Sequence, residues 1–119
     1  MRYDAITLDT NIFADNGYRL ESGLLAELSQ FKKDFPKFVL SDVVHRELRL
    51  HLVAAVTDQR TKLLSAAKRA RNAQLLSPSD VDTITKICEA AATPDVAVEG
   101  RLTKFAAETG LQIIGTPHL

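Results

Sequence analysis

Asp9 and Glu47 are the two side chains of this sequence whose surroundings best suit chemistry. Asp9 ends the apolar run Ala5-Ile6-Thr7-Leu8 and is followed by two more polar residues, Thr10 and Asn11; Glu47 falls a turn or so into a helix that follows a second run, Phe38-Val39-Leu40. Two carboxylates suit a hard divalent cation, which takes oxygen ligands and keeps several waters. Mg2+ or Mn2+ fits that donor set, whereas zinc would want Cys or His ligands close by. Such an ion lowers the pKa of a bound water and offsets charge on a phosphodiester during in-line attack. Thr10 and Asn11 are expected to assist, the hydroxyl orienting the Asp9 carboxylate and the amide supporting it from behind. A plainer reading stands beside this one, because Asp, Thr and Asn also turn a chain and cap the element after the turn.

For the two acids to meet, both must emerge at the same end of a parallel sheet. Residues 4–9 read as a strand buried on both faces, and residues 37–41 as a second strand. Asn16-Gly17 is a turn signal, so a loop or frayed turn is expected after Asn11. Leu24, Leu25, Leu28, Phe31 and Phe35 recur at helical spacing over residues 21–35, and Pro36 stops that helix. A strand, a helix and a strand make a crossover that sets the two strands parallel and close together. Ligands of open α/β sheets gather beyond the carboxyl ends of such strands. Ser41 or Asp42 caps the next helix, along which Val44, Leu48, Leu52 and Ala55 form an apolar stripe. Glu47 lies at the edge of that stripe, which points it back toward Asp9.

The helical pattern continues to about Leu76, with a break expected near Thr57-Asp58. Ser77-Pro78-Ser79-Asp80 opens another helix to about Ala92, with Val81, Ile84, Ile87 and Cys88 inward. Thr93-Pro94-Asp95 opens a last one through Val96, Val98, Leu102, Phe105 and Ala106 to Gly110. Asp80, Asp82 and Asp95 are thereby explained as helix-start acids, without a metal. Leu111-Gln112-Ile113-Ile114 is a candidate third strand. The fold class is α/β, a short parallel sheet with a helix-rich remainder, in a single domain over residues 1–119.

At 45% apolar and 25% charged, the 119 residues have the composition of an ordered globular chain. Formal net charge is zero, which argues against binding nucleic acid through total charge, but the charge is unevenly placed. Between Arg46 and Arg71, seven cations meet only Glu47 and Asp58. Arg60, Lys62, Lys68, Arg69 and Arg71 mark a helix face that could follow an RNA backbone; charge runs on helices are also commonly plain solvated faces. His45 and His51 are six apart and make no helical metal pair. The lone Cys88 excludes an internal disulfide and reads as a buried structural thiol. No run reaches membrane-spanning length, and the expected compartment is the cytoplasm.

Ile6-Thr7-Leu8-Asp9-Thr10-Asn11-Ile12-Phe13, followed by Val39-Leu40-Ser41-Asp42-Val43-Val44-His45-Arg46-Glu47-Leu48, resembles the opening half of a PIN domain, in the branch that carries a long helical insertion. The resemblance implies a three-layer α/β fold and a Mg2+- or Mn2+-dependent ribonuclease, often a toxin held by an antitoxin. It makes Asp9 the first metal-binding acid, Glu47 the second, and Thr10 or Asn11 the support. It also implies an RNA substrate and a restraining antitoxin; another protein partner, a homodimer and no membrane association are further expectations. The family has a third and often a fourth Asp farther along, and nothing after residue 95 matches them. A C-terminal half that is truncated or degenerate is therefore expected, with weak or no cleavage by these residues alone. The alternatives are an inactive PIN-like interaction or RNA-binding module, and a haloacid-dehalogenase-like phosphatase. The phosphatase would need an acid where Asn11 stands.

Overall fold

A computed structural model of the chain describes residues 5–31 and 37–115. The expectations for Asp4 and for a helix running through Phe35 to Pro36 lie outside the described residues. Three strands form one parallel sheet in the order β1-β2-β3, with β1 at Ala5–Leu8, β2 at Lys37–Ser41 and β3 at Gln112–Ile114. Ile6 pairs with Phe38 and Leu8 with Leu40, while Leu40 pairs with Ile113 on the other side. The chain is thus α/β, with the expected parallel first pair and the candidate third strand both present. Among the described residues β1 is an edge strand. It is not buried on both faces as expected: Leu8 is buried, but Thr7, which points to the opposite face, is exposed, and Ile6 is 43% exposed.

Three expectations about helices change. Residues after Asn11 do not form a loop, because Thr10–Asp15 is a short helix, α1, with Asn16 as its C-cap. Asn16-Gly17 does turn the chain, with Gly17 at φ +62° and Tyr18 at φ +56°. The helix expected from residue 21 is shorter than its pattern: α2 covers Gly23–Glu27 and passes into a 3-10 turn at Leu28–Phe31. α3 then runs unbroken from Asp42 to Asn72. Thr57 does not break it. Its hydroxyl donates to the Val53 carbonyl at 2.9 Å, and Lys62 pairs with Asp58 one turn on. α4 covers Pro78–Ala90 and α5 Pro94–Thr109.

By their internal packing the described residues divide into two units. One comprises the residues up to Leu52 and from Val98 onward; the other is Val53–Ala97. In the sheet-bearing unit the core is built on Phe13, Leu25, Leu40, Leu48, Val98 and Phe105, all 3% exposed or less. Phe13 of α1 meets Phe105 of α5 edge to face at 6.1 Å, and the α5 stripe is Val98, Leu102, Phe105 and Thr109. The helical unit buries far less, with Ala67 and Val81 its buried apolar side chains among the described residues. Ile87, expected inward on α4, is 65% exposed, and Cys88 is half-buried rather than buried. The inward line of α4 starts at Val81 and follows Ile84, Thr85 and Cys88, which leaves Ile87 outside it. Val96 likewise falls outside the α5 stripe and is 63% exposed.

Candidate active site at the end of the first strand

The backbone leaves β1 at Leu8, and Asp9 becomes the N-cap of α1 with extended backbone at φ −114° and ψ 171°. One Asp9 carboxylate oxygen, Oδ1, accepts the Asn11 N–H at 2.6 Å. The capping role is therefore real. It does not exhaust the group, since a carboxylate has about four lone-pair sites. Asp9 is exposed to solvent.

Glu47 comes from α3. Ser41 caps that helix, its hydroxyl accepting the Val44 N–H at 3.2 Å, and Asp42 lies in the first turn. From there Glu47 reaches across to α1, where the Thr10 hydroxyl donates to its Oε2 at 2.9 Å. Residues 37 apart in the chain are joined by this bond, and the residue next to Asp9 is what Glu47 touches. The support expected of Thr10 and Asn11 takes a different form from the one read from sequence. A hydroxyl has one proton to give, and Thr10 gives it to Glu47 rather than to Asp9. Asn11 serves Asp9 through its backbone N–H, because that N–H is an orphan donor at a helix start.

Beside Asp9 lies an open groove of about 560 Å³ lined by Thr7, Asp9, Asn11, Asp15 and Asn16, with Ile6 and Leu24 among its apolar walls. Glu47 is not part of its lining. Asp15 is a groove acid that the sequence reading passed over. Had residues 10–15 been read as helical, Asn11 and Asp15 would have stood one turn apart on a single face. Among the described residues no three His, Cys, Asp or Glu side chains come together as a metal-holding group.

Of the five cations expected to face RNA, two are occupied within the helical unit. Arg60 donates from Nη2 to the Ala92 carbonyl at 3.2 Å, and Lys62 pairs with Asp58 at 2.9 Å. Lys68, Arg69 and Arg71 are exposed. His51 stacks on Tyr18 with ring centroids 5.4 Å apart, and His45 lines an apolar crevice with Leu48 and Phe105, so neither stands with the two acids. No described helix is long and apolar enough to cross a membrane.

Searches of the curated proteins and of the solved structures return no match to the chain. A family model described as the PIN domain matches residues 6–118, well past the two motifs near Asp9 and Glu47. With nearly the whole chain covered by that match and a parallel sheet carrying Asp9 at the end of its first strand, the chain belongs to the PIN domain family.

Proposed function

We propose that the chain is a metal-dependent ribonuclease-type PIN domain that hydrolyses RNA phosphodiesters, with Asp9 and Glu47 as its acids. The observation that carries this reading is the 2.9 Å bond from the Thr10 hydroxyl to Glu47, which ties an acid of α3 to the residue beside Asp9. The donor set fits the expected ion. Mg2+ is commonly held by one or two carboxylates plus waters and substrate phosphates. Each acid here has one oxygen engaged, Asp9 Oδ1 and Glu47 Oε2, and a second oxygen to offer. When bound, Mg2+ or Mn2+ would supply Lewis acidity to water and to the phosphodiester.

The chain's own residues hold and orient. The Asn11 N–H fixes the rotation of the Asp9 carboxylate, and the Thr10 hydroxyl fixes that of Glu47, so neither acid has to be ordered when its ligand arrives. The open groove beside Asp9, with Asn11 and Asn16 as amide donors, gives a polyanion room to approach. The reading extends to a cytoplasmic location and to a restraining protein, either an antitoxin or a second copy. It gives the phosphatase alternative no support, since Asn11 is not an acid. An interaction module without catalysis is the second reading, favoured by the lack of a third acid with Asp9 and Glu47 among the described residues.

Mn2+ binding followed by electron paramagnetic resonance separates the two. Asp9→Asn and Glu47→Gln are each expected to weaken Mn2+ binding by about tenfold or more. RNA cleavage by these residues is expected to be weak, because no group of three His, Cys, Asp or Glu ligands comes together among the described residues. Unchanged Mn2+ affinity in both variants would leave the interaction module as the better account.

A further inference from the structure

We propose that the exposed end of α3, with Lys68, Arg69 and Arg71, and the groove at the α3–α4 turn form a docking surface for the sugar-phosphate backbone of RNA. The choice of RNA rests on the ribonuclease reading above; the surface itself rests on charge and geometry. From Gln59 to Ser79 the sequence contains no acid, while it contains Arg60, Lys62, Lys68, Arg69 and Arg71. Arg60 and Lys62 are committed to Ala92 and Asp58. Lys68, Arg69 and Arg71 are exposed and, among the described residues, have no side-chain hydrogen bond or ion pair.

Helical spacing gathers these three. Lys68 and Arg71 are three apart and Lys68 and Asn72 four apart, so they share one face, with Arg69 on its flank. The face runs directly into a groove of about 590 Å³, lined by Arg71, Asn72, Gln74, Leu75 and Ser77 among others. Its amides and hydroxyl are donors for phosphate and ribose oxygens. The groove owes its shape to the way α3 ends. Leu75 N–H bonds the Ala70 carbonyl and Gln74 N–H the Arg71 carbonyl, with Gln74 at φ +67°, which is the Schellman ending normally made with glycine.

A purely structural role for the cations is incomplete. Positive charge in the last turn does complement a helix dipole. Yet the carbonyls of Arg69, Ala70 and Arg71 are already taken by backbone N–H groups of the turn, and no cation bonds them. An acidic protein is the competing occupant, with Leu75, 79% exposed, as its anchor. The charge pattern favours RNA: cations with no interspersed acid complement a uniformly anionic backbone. No aromatic residue occurs from Val53 to Ala97, so bases have nothing to stack on and binding should be indifferent to sequence.

Fluorescence anisotropy of a labelled single-stranded RNA of about 20 nucleotides, in EDTA so that cleavage plays no part, tests this surface. Three phosphate contacts give a slope of about −2 for log affinity against log salt. The triple variant Lys68→Gln, Arg69→Gln, Arg71→Gln is expected to lose most of that slope and about tenfold or more in affinity at low salt, with an unchanged circular dichroism spectrum. Lys104→Gln, outside this surface, should bind as the unaltered chain does. If the triple variant binds RNA with unchanged affinity and slope, the surface is wrongly assigned, even where Asp9→Asn abolishes cleavage. If the chain binds through these residues but never cleaves, the surface stands and the nuclease reading falls. Polyglutamate that displaces RNA at equal charge concentration would give the face to an acidic protein and overturn the RNA assignment.

Discussion

The two units of this chain spend their polar side chains differently. The sheet-bearing unit has short-range bonds too, such as Ser41 with Val44 and Thr109 with Phe105, but it adds several that join segments far apart in sequence: Thr10 to Glu47 across 37 positions, Arg49 to Glu99 across 50, and Arg101 to Glu21 across 80. In the helical unit most act within a single turn, as when Lys62 pairs with Asp58, Ser77 with Asp80, and the Thr57, Thr61, Thr83 and Thr85 hydroxyls each bond a carbonyl four residues back. Arg60 to Ala92 is the longer exception. Long-range polar contacts hold a tertiary arrangement, while short-range ones support helices that would form much the same way elsewhere. The first unit thus holds Glu47 against the residue beside Asp9, while the second leaves Lys68, Arg69 and Arg71 exposed.

The largest effect that could break this contrast lies in the cores. Phe13 is fully buried against Phe105, so Phe13→Ala should cost about 3–5 kcal/mol in urea unfolding. Val81, 8% exposed in the helical unit, has less to lose, and Val81→Ala should cost about 1–2 kcal/mol. Hydrogen exchange sharpens the comparison. Phe13→Ala should release the amides of Phe38 to Leu40 far more than those of α4. Equal release in both would mean that the two units open as one, and the contrast would lose its energetic meaning.

Capping in the helical unit comes next in size. The Ser77 hydroxyl accepts the Asp80 N–H at 3.0 Å and the Asp80 carboxylate accepts the Ser77 N–H at 2.9 Å, a reciprocal box that opens α4. Ser77→Ala should cost about 1 kcal/mol, with faster exchange confined to the first turn of α4. This box was fully legible in the sequence, because partner and helix start lie three residues apart. The site was legible only in part. The strand ending at Asp9, the parallel pairing of β1 with β2 and the placement of Glu47 near the start of α3 all follow from periodicity and breakers. Which acid the Thr10 hydroxyl would choose does not, since that depends on how α1 and α3 face each other across 37 positions. α1 itself was hidden: the Asn16-Gly17 signal marks where it ends, and only Asp9 acting as a cap reveals that it begins. On α3 the five cations look alike in sequence, and it took Ala92 and Asp58 to separate Arg60 and Lys62 from the rest.

The smallest expected effect tests the long-range wiring itself. Arg101 grips Glu21 through Nε at 2.9 Å and Nη2 at 2.8 Å, and Nη2 also donates to the Tyr18 carbonyl at 3.2 Å. That hydrogen bonding holds the Glu21 carboxyl below its ordinary range and raises the Arg101 pKa in turn. With Glu21 about half exposed, solvent screening limits the pair to about 0.5–1 kcal/mol, the upper end reflecting its two-pronged geometry. The sign follows from the depressed folded pKa. The contribution is complete above the unfolded glutamate value of about 4.3 and is lost as pH falls through the lower folded value. Arg101→Gln should therefore be less stable than the unaltered chain at pH 7, with the gap closing below about pH 4. Acid alone does not separate the units, because the Ser77 N–H also depresses the Asp80 carboxyl pKa and the α4 cap weakens over a similar range. Salt does separate them. Raising ionic strength at pH 7 should shrink the Arg101→Gln difference, which is an ion pair, and leave the Ser77→Ala difference nearly unchanged, since the bond from the Asp80 N–H to a neutral hydroxyl has no charge pair to screen. A salt-insensitive Arg101→Gln difference would assign the work to the Tyr18 carbonyl bond instead, and the sheet-bearing unit would then lean on backbone contacts more than on charge.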